Sequence, residues 1–60
     1  MTNLITQADF YKLPEVIACG EIQKYNPYGS KEHKGAHDTL GALMTSYIGE
    51  AKAVKHLGEY

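Results

Sequence analysis

The chain has 60 residues, 43% of them hydrophobic, and carries six lysines, no arginine and a formal net charge of −1. A chain this short buries only about 60% of the surface it exposes when unfolded, so it makes one small domain with a marginal core. Near-neutral charge without arginine argues against the basic stripe of a nucleic-acid binder and against a strongly acidic surface that mimics nucleic acid.

Small domains usually need a disulfide framework, a metal or a partner subunit. Cys19 is the only cysteine, so no internal disulfide forms, and a lone thiol fits a reducing, cytoplasmic setting. No basic stretch followed by an apolar run opens the chain, so no secretory signal is expected, and the apolar stretches are too short to span a membrane. A partner subunit is the support left.

In chain order, the first signal is Ile5-Thr6-Gln7-Ala8-Asp9-Phe10. Thr6 suits an N-cap with Asp9 three residues on, and Ile5 and Phe10 occupy the two positions of a hydrophobic staple, so a helix begins at Gln7. Pro14 interrupts it, because proline lacks the amide donor and restricts Leu13 before it. Two readings are open for the next stretch. Pro14 starts a second short helix through Val16, Ile17 and Cys19, ended by Gly20; alternatively, residues 16–25 form a small hairpin turning at Gly20-Glu21.

Asn26-Pro27-Tyr28-Gly29 reads as a type I turn with Pro at its second position. The polar run that follows extends a connection over residues 26–37. Beyond it, Leu40, Leu43, Met44, Tyr47, Ile48, Ala51, Val54 and Leu57 recur at spacings of three and four, the period of one helical face. Asp38 can cap this helix, Lys52, Lys55 and His56 complement its C-terminal dipole, and Gly58 ends it after about five turns. The expected fold is mainly α: a short Pro-interrupted N-terminal helical segment, a turn-rich middle and one long C-terminal amphipathic helix, with an α+β arrangement as the alternative.

Gly41, Thr45, Gly49 and Ala53 form a row of small residues at intervals of four beside the apolar stripe. Each interior glycine costs about 1 kcal/mol against alanine, so the row asks for a reason. Small side chains let another helix approach closely. Gly41, Met44, Thr45, Tyr47, Ile48, Gly49 and Ala51 are therefore the candidate helix-packing or homodimer interface. Packing on the N-terminal helix of the same chain, or tolerated glycines without a role, are the competing explanations.

Chemistry-bearing groups are sparse. His33 and His37 are four apart, but Gly35 lies between them and no third ligand is near, so they read as solvated loop histidines and no metal is expected. Cys19 follows Val-Ile-Ala, a setting in which a thiol is usually inert core. There is no nucleophile elbow, no phosphate loop and no paired carboxylates, so neither an enzyme nor a cofactor is expected. Tyr25 and Tyr28 with Lys31 and Lys34 make the candidate partner-binding cluster, since tyrosine is enriched at interfaces. The expected function is stoichiometric binding of a larger protein, as a regulator or inhibitor. A small dimeric DNA-binding regulator and a structural subunit of an assembly are the alternatives.

Overall fold

Residues 4–60 are described by a computed structural model, and they form four helices: α1 (Gln7–Phe10), α2 (Pro14–Tyr25), α3 (Lys31–Tyr47) and α4 (Glu50–Gly58). The protein is mainly helical, with no strand among the described residues. α3 is the central element and packs against both α2 and α4.

α1 starts where the Thr6 Oγ1 accepts the Asp9 amide at 3.2 Å, satisfying one of the donors that a helix start leaves open. It lasts four residues and delivers Phe10, the one fully buried large side chain, into the core, with Ile5 half-buried beside it. Leu13 is extended (φ −67°, ψ 139°), as a residue before proline must be, and Pro14 then takes the first position of α2, where its missing amide is harmless.

α2 runs through Gly20 and Glu21 to Tyr25, which corrects both the expected stop at Gly20 and the alternative hairpin. The reason is packing. Val16 and Cys19 are buried and Gln23 half-buried at a helical spacing, and a turn at Gly20 would take this face off α3. The helix ends at Asn26, held extended by Pro27, and the Asn26 Nδ2 donates to the Ile22 carbonyl at 2.7 Å.

The turn lies one residue later than the sequence suggests. The Ser30 amide bonds the Pro27 carbonyl at 3.0 Å, so Gly29 becomes the third residue of the turn. It adopts φ +89°, which a glycine takes without the clash a side chain would bring. Ser30 then caps α3, its Oγ accepting the His33 amide at 3.2 Å. Lys31–His37 are thus helical, and the connection expected over residues 26–37 shrinks to 26–30. The polar run hides this turn of helix from a reading based on apolar periodicity, since only Ala36 and His37 in it are buried.

The single long C-terminal helix is also corrected: it is two helices, broken at Ile48 and Gly49. Gly49 adopts φ +112° and ψ 152°, a region open essentially to glycine alone. The Ile48 and Gly49 amides both close on the Met44 carbonyl at 2.8 Å, and the Ile5 amide takes the Tyr47 carbonyl at 2.8 Å. The break re-aims the apolar stripe. Leu40, Met44 and Ile48 stay buried and Ala53 joins them, while Ala51, Val54 and Leu57 face solvent to differing degrees.

The resulting core is thin: Phe10, Val16, Cys19, Ala36, Leu40, Met44, Ile48 and Ala53, flanked by half-buried Ile5, Leu13, Leu43 and Tyr47. The radius of gyration is 11.4 Å, against about 10 Å for a compact chain of this length, and the long axis reaches 36 Å.

Candidate functional site

The most chemically dense region joins the start of α3 to the end of α4. His33 and His37 lie one turn apart on α3, His56 projects from the last turn of α4, and Tyr60 follows that helix. The His37 and His56 rings stack with centroids 3.9 Å apart and 23° between planes. Tyr60 lies 4.7 Å from His37 and 5.5 Å from His33, and stacks on Tyr28 at 4.6 Å and 13°. All three histidines of the chain therefore meet, together with two of its five tyrosines.

Hydrogen bonds give this region a direction. The Gly29 amide donates to the Tyr60 hydroxyl oxygen at 2.9 Å, and that hydroxyl lies 3.0 Å from His33 Nδ1. The hydroxyl proton is then available to a neutral His33, whose Nδ1 accepts it. The Tyr28 hydroxyl donates to the Tyr60 main-chain oxygen. His56 Nε2 lies 3.1 Å from the His37 carbonyl and must donate, since a carbonyl only accepts. His37 itself is buried, and its Nε2 has no hydrogen-bond partner among the described residues. Parallel stacking lays ring on ring instead of converging nitrogen lone pairs on a common point. Among the described residues no group of three or more His, Cys, Asp or Glu side chains is placed to hold a metal ion.

Of the expected partner-binding residues, Tyr28 and Lys34 belong to this cluster and Tyr25 and Lys31 do not. Lys34 pairs with Asp38 at 3.5 Å and its Nζ sits 5.7 Å from the centre of the Tyr60 ring. Lys31 is exposed at the start of α3. Tyr25 is 72% exposed at the end of α2, with the Lys24 ammonium 5.6 Å from the centre of its ring. His33, His37, His56 and Tyr60 were not singled out by the sequence as a group. The i, i+4 histidine pair was the one available signal, and the polar run around it concealed the helix.

The expected interface residues scatter. Gly41, Met44 and Ile48 are buried, Tyr47 and Gly49 are intermediate, and Thr45 and Ala51 are exposed. Thr45 Oγ1 donates to the Gly41 carbonyl at 3.2 Å. The small-residue row ends at Gly49, where the helix breaks. The close approach at Gly41 is made by Leu57 of α4 in the same chain, and Ala53 is buried at 1% exposure.

Two surface features complete the inventory. On α2, Ala18, Ile22 and Tyr25 recur at i, i+4 and i+7 and all three are exposed; Tyr25 and Ala18 point away from the core, Ile22 borders Cys19, and exposed Ile17 and Glu21 lie on the other flank. Between α1 and α4, over Met44 and Ile48, lies an open groove of about 240 Å³ rimmed by Tyr11, Lys52, Lys55 and His56. It is smaller than the roughly 300 Å³ at which small-molecule pockets begin. Cys19 is buried, and desolvation pushes its thiol above the usual range, so the thiolate needed of a nucleophile is disfavoured. No helix among the described residues is long and apolar enough to cross a membrane.

No protein-family model matches the chain, and neither a curated protein nor a solved structure matches it at a significant level.

Proposed function

We propose that this chain is a non-catalytic binding protein that regulates or inhibits a larger protein by docking on it stoichiometrically through the outer face of α2. The observation that carries this reading is that α2 is apolar on two sides. Val16 and Cys19 face the core, while Ile17, Ile22 and Tyr25 remain 50%, 42% and 72% exposed. A helix that serves only its own core has a polar outer face. Anchors at i, i+4 and i+7 are the pattern by which a helix seats in an apolar groove of a partner, and a large exposed tyrosine beside them is a common energetic anchor. Tyr28, 69% exposed in the adjoining turn, extends the surface, and Glu21, Lys24 and Lys31 give it a rim of mixed charge.

The buried unreactive thiol and the small groove support binding over turnover. Self-association through the same face is the second reading, favoured by the thin core and extended shape. The test compares wild type with Ile22→Glu, a change on the outer face that leaves the core intact. Wild type is expected to be monomeric by light scattering and to retain one stoichiometric partner from a lysate, which the variant loses with its melting temperature unchanged. A dimer that Ile22→Glu dissociates moves the reading to self-association. A variant that keeps the same partner, or that stays a dimer where wild type is one, rejects the α2 face.

A further inference from the structure

Three histidines meeting at one helix seam invite the question of what a proton does there. His37 is 7% exposed, its Nε2 is unpartnered, and its ring lies against His56 at 3.9 Å. We propose that this seam is an acid-released latch: protonation of the stacked His37–His56 pair, aided by His33 at Tyr60, frees α4 and bares the strip of α3 that it covers. The proposal stands apart from the α2 docking reading.

The first proton is tolerated. On His56 it strengthens the bond to the His37 carbonyl and sits in the last turn of α4, where the helix dipole favours a cation. The second is not. On His37 it creates a buried cation whose Nε2–H has no acceptor, one ring-stack from a positive neighbour. Around the pair, α3 contributes Lys34, paired with Asp38, and the Tyr60 main-chain oxygen beside the cluster is taken by the Tyr28 hydroxyl. On the His56 side, α4 contributes Lys52, Lys55 and Glu59, and α1 contributes Gln7 and Tyr11.

His33 adds a third proton-sensitive contact. Neutral, its Nδ1 takes the Tyr60 hydroxyl proton; protonated, it becomes a donor, and that hydroxyl, already accepting from Gly29, loses the acceptor for its own proton. Apart from this seam, α4 is held by Ala53, buried at 1% exposure, and by Leu57, 44% exposed and seated on Gly41, and it joins α3 through the two-residue link Ile48–Gly49. Its release uncovers Met44 and Ile48.

The docked seam offers no acceptor for a second proton on the stacked pair, whereas water offers one once α4 is released, so docking weakens as pH falls. One proton of difference changes the opening constant by about tenfold per pH unit.

Native-state hydrogen exchange between about pH 7.5 and pH 5, corrected for intrinsic rates, tests this on the whole chain. The α4 amides are expected to open more as pH falls across this range, by up to about tenfold per pH unit, ahead of the α2 amides around Cys19. His37→Phe keeps a flat ring in the stack without a titrating nitrogen and should flatten the dependence. Should that variant not fold, His37→Leu removes the same titrating ring and should do the same. An α4 opening that ignores pH, that occurs only together with α2, or that keeps its full pH dependence in either folded His37 variant overturns the proposal.

Discussion

Leu57 of α4 occupies the space that a side chain on Gly41 of α3 would fill: a Cβ on Gly41 would lie 2.5 Å from Leu57 Cδ2 and 2.7 Å from Cγ. The two residues are therefore one packing unit. Gly41→Ala gains about 1 kcal/mol of helix propensity but must drive Leu57 from its seat. We expect a net loss of about 1 kcal/mol in the wild-type background and a gain approaching 1 kcal/mol in a Leu57→Ala background. Urea melts of the four chains check the change of sign. Stabilisation by Gly41→Ala in both backgrounds would mean that Leu57 moves aside freely.

Gly49 separates from the glycines inside helices. Gly49→Ala places a side chain at φ +112° and should cost about 1–3 kcal/mol, although Leu4 Cδ1, at 3.9 Å, is an ordinary contact. Gly20→Ala and Gly35→Ala enter regular helix with nothing within 4 Å and should each stabilise by up to about 1 kcal/mol. Thermal melts rank the three. Equal effects at all three positions would show that the break at Gly49 is not set by its backbone.

Cys19 should be slow to react. Burial raises its thiol above the usual range, so the folded chain holds its proton where the unfolded chain loses it. The thiol thus favours folding below about pH 8.5, and that contribution falls as pH rises further. Alkylation at neutral pH should be far slower than that of a free cysteine and should recover in urea. Full-speed labelling of the folded chain would place the thiol at the surface.

Ser30 supports the longest helix. Ser30→Ala removes the acceptor of the His33 amide and should cost about 1 kcal/mol, which lowers the melting temperature of a domain this size by about 4–8 °C. Ser30→Asp, which keeps an acceptor, should restore most of it. An unchanged melting temperature for Ser30→Ala would show that water replaces the cap.

The helix starts show how far local chemistry carries. Thr6 and Pro14 act through neighbours within a few residues, and their signatures can be read directly from the order of side chains. Ser30 acts in the same way, but the polar run after it offered no apolar rhythm to pair with the cap. The two glycines, Gly20 and Gly49, look alike in sequence and part company in the fold: one is carried inside α2 and the other bends the chain out of α3. Which one bends depends on what each flanking segment can bury.

The sequence by itself determined a mainly helical chain, the start of α1 at Gln7, and the apolar residues of α3, because caps, proline geometry and periodicity are local. Only the tertiary structure decided that α4 folds back, that Leu57 seats on Gly41, and that His37 meets His56 nineteen residues away. Those contacts depend on the angle that one glycine lets the backbone take, and no spacing along the chain encodes that angle.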